Sequence, residues 1–268
     1  MASVMKSLRD SLGSAKNILI LTGSGISAES GIPTFRGAGG LWRTYLAQSL
    51  ASSRAFKSDP SLVWEFYEYR RKNAKRAQPN KAHDAIASFE NRMTKEGKKV
   101  TIVTQNVDGL HQQAGSKNVI ELHGSLFKTK CTVCENIEVN NTVPICPALA
   151  GDCSPDPDAD ASDIPIDDLP KCQKASCKGL LRPHIVWFGE CLEDELLNAA
   201  EDAVEKCDIC LVIGTSLIVY PAAMFAPRVS ERGVPVAEFN LEETDKTINF
   251  QYHFKGPCTT TVPEALAP

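Results

Sequence analysis

The sequence lacks the features that would place it in a membrane or on a nucleic acid. No apolar run reaches the roughly 18 residues that cross a bilayer, and no secretory signal pattern is present. The formal net charge of −4 offers no positive field for a polyanion, so neither nucleic acid nor a membrane is expected as a partner. There is no internal repeat. The 268 residues therefore predict a soluble protein with one substantial core and at most a small second lobe.

Ten cysteines without a secretory signal predict reduced thiols rather than a disulfide scaffold. Two close pairs, separated by 37 residues, have the spacing of a tetrahedral zinc site: Cys131, Cys134, Cys172 and Cys177. Four thiolates leave no position for water, so this zinc ion would be structural. The alternatives are free surface thiols, or Cys146 and Cys153 as substitute ligands.

A further Cys-x-x-Cys pair, Cys207 and Cys210, is not expected to bind a metal ion. It runs into an apolar strand, where residues three apart point to opposite faces of the sheet. These two cysteines are therefore expected in the core.

Short apolar runs alternate with helical patterns along most of the chain. Such runs are typical of strands buried on both faces, and their alternation with helices predicts a doubly wound parallel sheet. The predicted strands cover residues 17–22, 100–104, 119–122, 209–213 and 234–239, and the predicted helices cover residues 82–92, 192–206 and 222–231. The first 17 residues predict a short amphipathic helix rather than an organelle-targeting segment.

Two segments interrupt this alternation. Residues 37–76 are mostly helical in pattern and too long for a simple crossover. Residues 128–181 hold six cysteines, and within them residues 144–170 carry six prolines and seven aspartates. That composition predicts a mobile surface loop with scarcely any helix or strand.

A glycine-rich turn follows the first predicted strand. Gly23-x-Gly25-x-x-Ala28 fits the dinucleotide fingerprint, in which glycines let a pyrophosphate approach a helix N-terminus. A simple structural turn is the alternative. The following helix is stopped early by Gly31 and Pro33, which argues against an ordinary dehydrogenase and predicts a loop over the bound nucleotide.

Polar residues stand at the carboxyl ends of the next two strands, where open α/β sheets bind their ligands. Gln105, Asn106 and Asp108 follow one strand, and His123 follows the other. An imidazole titrates near neutral pH and can accept a proton from a sugar hydroxyl. His123 is therefore the candidate base, although a lone histidine is more often structural.

Together these motifs resemble the sirtuin family of NAD-dependent protein deacylases, from about Asn17 to the C-terminus. The resemblance implies a Rossmann-like doubly wound large domain (residues 1–36, 98–127 and 182–268), a helical module (37–97) and a zinc-binding lobe (128–181). It implies NAD as co-substrate, one structural Zn²⁺ ion, and acylated lysines of many proteins as partners. As the family mechanism runs, the acyl oxygen displaces nicotinamide, and His123 then deprotonates a ribose hydroxyl, giving lysine and O-acyl-ADP-ribose.

The same resemblance implies the other site residues. Those expected around NAD are Gly23, Ser24, Gly25, Ile26, Ser27, Ala28, Pro33, Thr34, Phe35, Arg36, Trp42, Gln105, Asn106, Val107, Asp108, Gly214, Thr215, Ser216, Asn240, Leu241, Glu242 and Cys258. Those expected to clamp the substrate backbone as an added strand are Val186, Phe188, Gly189, Glu190, Val219 and Tyr220.

The stretch WEFYEYRR, residues 64–71, raises the question of substrate. Its charge run alone favours a solvated helix edge. However, Tyr67-x-x-Arg70 is similar to the pair in the mitochondrial class III branch of the family, which removes negatively charged acyl groups. A guanidinium and a tyrosine hydroxyl suit the carboxylate of a succinyl, malonyl or glutaryl group, with acetyl a weak substrate.

Two other functions compete with deacylation. Transfer of ADP-ribose to protein side chains would use the same glycine loop. A non-enzymatic zinc module would explain the cysteines but leave the glycine loop and His123 without a role. The resemblance also implies the mitochondrial matrix, with cytosol and nucleus as further locations, and the chain is expected to be a monomer.

Overall fold

The computed structural model describes residues 2–35, 40–151, 153–159 and 162–268. Its strands are β1 (Asn17–Thr22), β2 (Leu41–Trp42), β3 (Tyr45–Leu46), β4 (Lys99–Thr104), β5 (Val119–Glu121), β6 (Gly124–Cys131), β7 (Ile137–Val139), β8 (Leu181–Ile185), β9 (Ile209–Ile213), β10 (Val236–Asn240) and β11 (Tyr252–Lys255). Its α-helices are α1 (Ala2–Ser14), α2 (Gly25–Ala28), α3 (Ala47–Leu50), α4 (Ser53–Ser58), α5 (Pro60–Arg76), α6 (Lys81–Lys95), α7 (Leu110–Gln113), α8 (Asp194–Lys206), α9 (Phe225–Glu231) and α10 (Cys258–Leu266).

Six strands form a wholly parallel sheet in the order β11-β10-β9-β1-β4-β5. The chain builds outward from β1 to β5 on one side and then from β9 to β11 on the other. The strand order therefore reverses between β1 and β9, and the crevice at such a reversal is where α/β sheets bind ligands. The predicted doubly wound sheet is confirmed.

The central strands send alternate residues into two apolar cores, one on each face of the sheet. Ile18 and Ile20 lie in a core with α1, α6 and α10, whereas Leu19 and Leu21 lie in a core with α8 and α9. This explains why the strand sequences are continuous apolar runs. Helix α6 contributes Ala82, Ile86 and Phe89 to the first of these cores.

A third core joins α4 and α5 to a small antiparallel sheet of order β7-β6-β8. Helix α5 begins where Asp59 accepts a hydrogen bond from the Leu62 N–H and Pro60 occupies the first turn. Trp64 then donates its indole N–H to the carbonyl of Leu181 at 2.9 Å. The helical segment and the cysteine-bearing segment thus share one interior.

Residues 144–170 differ from the predicted surface loop. Their described part contains two 3-10 turns, Pro147–Leu149 and Ile166–Asp168, and buries Leu149 and Leu169 in the third core. Side chains of α5 bind this segment, since Glu68 accepts the N–H of Ile145.

Within the described residues, no helix is long and apolar enough to cross a bilayer.

Candidate active site

A cavity of about 810 Å³ opens beyond the carboxyl ends of β1, β4, β9 and β10. Its wall has two distinct parts, a glycine end and an arginine end. The glycine end comprises residues 23–25, 27, 105–108, 214–216 and 240–244, which stand at the ends of those four strands, and the arginine end comprises Phe35, Tyr67, Arg70 and Trp187. His123 also lines the cavity.

The turns after β1 and β9 touch each other at the glycine end. The N–H of Gly25 donates to the carbonyl of Gly214 at 2.8 Å, and a Cβ on Gly23 would lie 2.8 Å from that same oxygen. Gly214 has a positive φ of 59°, and a Cβ there would lie 2.4 Å from the amide nitrogen of Ile26. Glycine is therefore required at these positions because the loops after β1 and β9 pack directly on each other.

A buried hydrogen-bond network organises the polar side chains of the glycine end. Ser27 donates its hydroxyl proton to Asp108 at 2.8 Å and accepts from the Asn106 amide at 3.1 Å. Asp108 also accepts the N–H of Leu110 at 3.0 Å. Burial raises the pKa of Asp108, and these hydrogen bonds and the charge of Arg70 partly oppose that rise. Asp108 and Asn106 are thereby held in one orientation.

A second histidine supports this network from below. The Nδ1 atom of His83 accepts the N–H of Asn80 at 3.3 Å, so its Nε2 carries the proton and donates to Ser27 at 3.5 Å. Burial lowers the pKa of His83 to about 4, which keeps the imidazole neutral at neutral pH.

Thr215 links the remaining loops of the glycine end. Its hydroxyl accepts the side-chain amide of Gln105 at 3.0 Å, and its carbonyl accepts the side-chain amide of Asn240 at 2.9 Å. The loops after β4, β9 and β10 are thus tied together before any ligand contributes.

His123 is half-buried, with its Nδ1 atom 3.2 Å from the carbonyl oxygen of Gln105. A carbonyl only accepts, so Nδ1 carries the ring proton and Nε2 keeps a lone pair. Burial lowers the pKa of His123, and the Gln105 carbonyl partly counteracts this. The neutral imidazole is therefore available as a proton acceptor at neutral pH.

Arg70 is a half-buried cation at the cavity wall, on α5. Its guanidinium carbon lies 4.2 Å from the centroid of the Phe35 ring, and its buried Nε has no hydrogen-bond partner. Among the described residues, no carboxylate forms an ion pair with it. Burial lowers the pKa of the Arg70 guanidinium, with Tyr67 and Asp108 acting in the opposite direction. A guanidinium at a cavity wall without a carboxylate partner suits an anionic guest.

Tyr67 lies one turn before Arg70 and is only 1% exposed. Its oxygen accepts the indole N–H of Trp187 at 2.8 Å. Burial raises the pKa of Tyr67, so the phenol remains protonated at neutral pH and keeps a hydroxyl proton that it can donate.

Most of the sequence-predicted residues line this cavity, including all six of the predicted substrate clamp. Four predicted NAD contacts do not: Ile26, Ala28, Trp42 and Cys258. Trp42 is 2% exposed and packs at 5.7 Å against the ring of Phe66, so the structure places it in the third core. Arg36, also predicted to contact NAD, lies outside the described residues.

The sequence reasoning missed several residues of the wall. Gln48 and Asn73 face the cavity from α3 and α5, and Trp187 was not singled out within its segment. Asn73 falls one helical turn after Arg70 and Tyr69, which is a signal that helical periodicity could have provided.

The four predicted zinc ligands meet at one point. The sulfur atoms of Cys131, Cys134, Cys172 and Cys177 all lie within 4.8 Å of one another. The N–H groups of Val133 and Cys134 donate to the Cys131 sulfur at 3.4 and 3.5 Å, an arrangement that stabilises a thiolate. A Cβ on Gly179 would lie 2.8 Å from that sulfur. This donor set fits one structural zinc ion. By contrast, Cys207 and Cys210 are buried in the sheet core as predicted.

The family model of the Sir2 family matches residues 23–221, which contain the glycine turn, the strand-end residues and the zinc ligands. The chain belongs to the Sir2 family. The Sir2 match covers well over half of the chain, so the resemblance drawn from its motifs is confirmed.

Full-length relatives agree with the Sir2 assignment. The chain is 59% identical over 267 residues to an NAD-dependent protein deacylase of Daphnia pulex, covering 100% of this chain and 97% of that protein. It is 57% identical to the NAD-dependent protein deacylase sirtuin-5, mitochondrial, of Danio rerio, covering 99% of this chain and 87% of that protein. A crystal structure of a Sir2 homolog–NAD complex superposes with a TM-score of 0.83 at 40% identity, covering 97% of this chain and 92% of that chain.

The glycine end fits NAD by its own chemistry. It offers amide and hydroxyl side chains from Gln105, Asn106, Thr215 and Asn240 around the glycine turn. These groups suit the hydroxyls and pyrophosphate of a dinucleotide.

Proposed function

We propose that this protein is an NAD-dependent protein-lysine deacylase that prefers acyl groups ending in a carboxylate. The relatives named above support the deacylase activity, since their names state it. The observation that carries the preference is Arg70, a cation at the cavity wall with no acceptor among the described residues. The site roles of individual residues are part of this proposal.

His123 is the proposed base. NAD, when bound at the glycine end, would supply the electrophilic ribose carbon and nicotinamide as its leaving group. With its Nδ1 proton donated to the Gln105 carbonyl, His123 takes a proton from a ribose hydroxyl at Nε2. Ser27, Asn106 and Asp108 hold the polar wall in a fixed arrangement, so that these groups do not reorganise when the substrate binds.

Arg70 and Tyr67 are the proposed selectors of the acyl group. A carboxylate can accept two hydrogen bonds from one guanidinium and a third from the phenol. An acetyl group would leave the Arg70 charge desolvated without a partner, which costs binding free energy. Succinyl, malonyl and glutaryl lysines therefore react faster than acetyl lysine.

Several broader expectations remain predictions. Acylated lysines of proteins are the proposed substrates, and nucleic acid and membranes are not proposed as partners. The division into a large domain, a helical module and a zinc lobe, and the monomeric state, also stay predictions. Because the sirtuin-5 relatives of Danio rerio and Canis lupus familiaris are named mitochondrial, we propose a mitochondrial location for this protein.

The test is turnover of one peptide sequence carrying acetyl, malonyl, succinyl or glutaryl lysine, with and without NAD. A matched control carries the terminal amide of the succinyl group, which keeps its shape and removes its charge. We expect strict NAD dependence and a kcat/KM for the succinyl peptide about 10²-fold or more above the acetyl and amide peptides. Equal rates for the succinyl and amide peptides would contradict the preference.

Mass analysis of the products separates deacylation from its rival. Deacylation gives free lysine, nicotinamide and O-acyl-ADP-ribose. Transfer of ADP-ribose would instead leave the acyl group in place and add mass to the protein or peptide, which would contradict the proposed reaction.

A further inference from the structure

Trp187 belongs to the arginine end of the cavity, and the ion pair between Arg182 and Glu190 lies behind it. The residue is 2% exposed, and its indole N–H donates to the Tyr67 oxygen at 2.8 Å. Behind the ring, the guanidinium carbon of Arg182 lies 3.5 Å from the ring centroid. The sequence assigned Trp187 no role of its own, yet it is the hydrogen-bond partner of a predicted selector residue.

The direction of this hydrogen bond fixes what Tyr67 can do. An indole N–H only donates, so the phenol oxygen of Tyr67 must be the acceptor. The single hydroxyl proton of Tyr67 is then not used in this contact. It is free to donate elsewhere, and Arg70 lines the cavity one helical turn away on the same helix. A donation chain from Trp187 through Tyr67 therefore ends on whatever acceptor enters beside Arg70.

Trp187 is held in place by three further residues, Arg182, Glu190 and Phe56. Glu190 accepts two hydrogen bonds from Arg182, at 2.7 and 2.9 Å, and the backbone N–H of Trp187 at 3.0 Å. Burial alone would raise the pKa of Glu190, but the hydrogen bonds from Arg182 and Ser53 bring it to about 2. The carboxylate is thus charged throughout the neutral range. On another side, the Phe56 ring lies 5.3 Å from the Trp187 ring.

We propose that Trp187 is a positioning residue for acyl selectivity, which fixes the Tyr67 hydroxyl so that its proton points to the carboxylate of the acyl group. This inference rests on the proposed function and deepens it. Trp187 acts through Tyr67 and does not itself contact the carboxylate. Its indole nitrogen, rather than its bulk, is the group that matters.

The test is a double-mutant cycle read as selectivity, the ratio of kcat/KM for a succinyl peptide to that for an acetyl peptide. Trp187→Phe keeps an aromatic ring and removes the N–H, and we expect the ratio to fall about tenfold. In a Tyr67→Phe background the same change should alter the ratio less than about twofold, because the hydroxyl it orients is gone. Loss of both activities in equal proportion, or equal effects in both backgrounds, would overturn the proposal.

Trp64 provides a matched control. It is equally buried in the same core, but its indole N–H donates to the Leu181 carbonyl, away from the cavity. Trp64→Phe should lower the melting temperature without changing the succinyl-to-acetyl ratio. A similar fall in the ratio for Trp64→Phe would show that loosening of the core explains both variants, and would overturn the proposal.

A second measurement decides the matter if Trp187→Phe does not fold. The chain has three tryptophans, so ¹⁵N-tryptophan labelling gives three indole N–H resonances, assigned with Trp42→Phe and Trp64→Phe. A bound succinyl peptide should move the Trp187 resonance more than a bound acetyl peptide does, because the Tyr67 oxygen becomes a stronger acceptor as its proton is donated. Equal shifts would overturn the proposal.

The unmodified protein separates the two failures. If it turns over acetyl and succinyl peptides equally, the proposed preference fails and Trp187 has no selectivity to support. If the unmodified protein prefers the succinyl peptide and Trp187→Phe keeps that preference, only the inference about Trp187 fails.

Discussion

The two ends of the cavity satisfy their polar groups in opposite ways. At the glycine end, Ser27, Asn106 and Asp108 bind one another, and Thr215 ties Gln105 to the neighbouring loops. At the arginine end, the guanidinium has no acceptor among the residues described. The difference teaches that the side chains of the glycine end already satisfy one another, whereas the arginine end presents a cation whose proposed partner is the carboxylate of the acyl group.

The largest expected effect is at His123, which lies on the cavity wall apart from the arginine end. His123→Tyr should reduce kcat about 10⁴-fold for succinyl and acetyl peptides alike, because the base is lost for both. Turnover assays of the purified variant measure this. One bound zinc ion per chain should be retained, since the cysteine cluster is elsewhere; loss of the metal would instead indicate a structural role for His123.

Arg70→Met tests the arginine end directly. The succinyl-to-acetyl ratio of kcat/KM should fall about 10²-fold, since a charge-assisted pair to the acyl carboxylate is removed. The melting temperature should hold or rise, because a methionine beside Phe35 avoids the desolvation of an unpartnered charge. If kcat/KM fell equally for the succinyl and acetyl peptides, Arg70 would instead support NAD binding or the fold.

The next residue along α5 should give the opposite result. Arg71 is 1% exposed, pairs with Glu68 at 3.4 Å, and donates to the carbonyls of Leu126, Asn140 and Thr142. Arg71→Met leaves the Glu68 charge buried, so the free energy of unfolding should fall by about 3 kcal/mol. Denaturant unfolding measures the change.

The matched control for Arg71 is Arg76→Met, at the exposed end of the same helix. Its free energy of unfolding should stay within about 0.5 kcal/mol of that of the unmodified protein. If Arg70→Met proved as destabilising as Arg71→Met, the contrast between a selector and a structural arginine would be lost.

The smallest expected effect is a pH shift. A base whose pKa is lowered stays unprotonated to lower pH, so kcat/KM should begin to fall only below the ordinary imidazole value of about 6.5. The acid limb should be the same for acetyl and succinyl peptides, since it reports His123. If the acid limb of the kcat/KM profile had its midpoint at or above the ordinary imidazole pKa, the assignment of His123 as a buried neutral base would be contradicted.

The parallel sheet was predictable because its strands are continuous apolar runs. Buried on both faces, β1 and β9 need no polar alternation, and the glycine turns mark where they end. The zinc cluster was predictable for a related reason, since ligand spacing is local to each pair of cysteines. The strand-end rule then placed Gln105, Asp108 and His123 at one cavity.

Two sequence-based predictions were wrong because they could not include contacts between segments that are distant along the chain. The charge run at residues 70–72 predicts a solvated face, yet Arg71 is buried because carbonyls from residues 126–142 surround it. Residues 144–170 look like a loose loop by composition, yet α5 presents Glu68 to their backbone. The local sequence of α5 shows neither the carbonyl acceptors that surround Arg71 nor the backbone N–H that donates to Glu68.

The central claim is that Arg70 selects acyl groups by charge, and a crystal structure of the protein with a succinyl-lysine peptide tests it most directly. We predict the succinyl carboxylate in a two-pronged hydrogen bond with the Arg70 guanidinium, with the Tyr67 hydroxyl donating a third bond. A carboxylate bound elsewhere, with the guanidinium turned outward into solvent, would contradict the account.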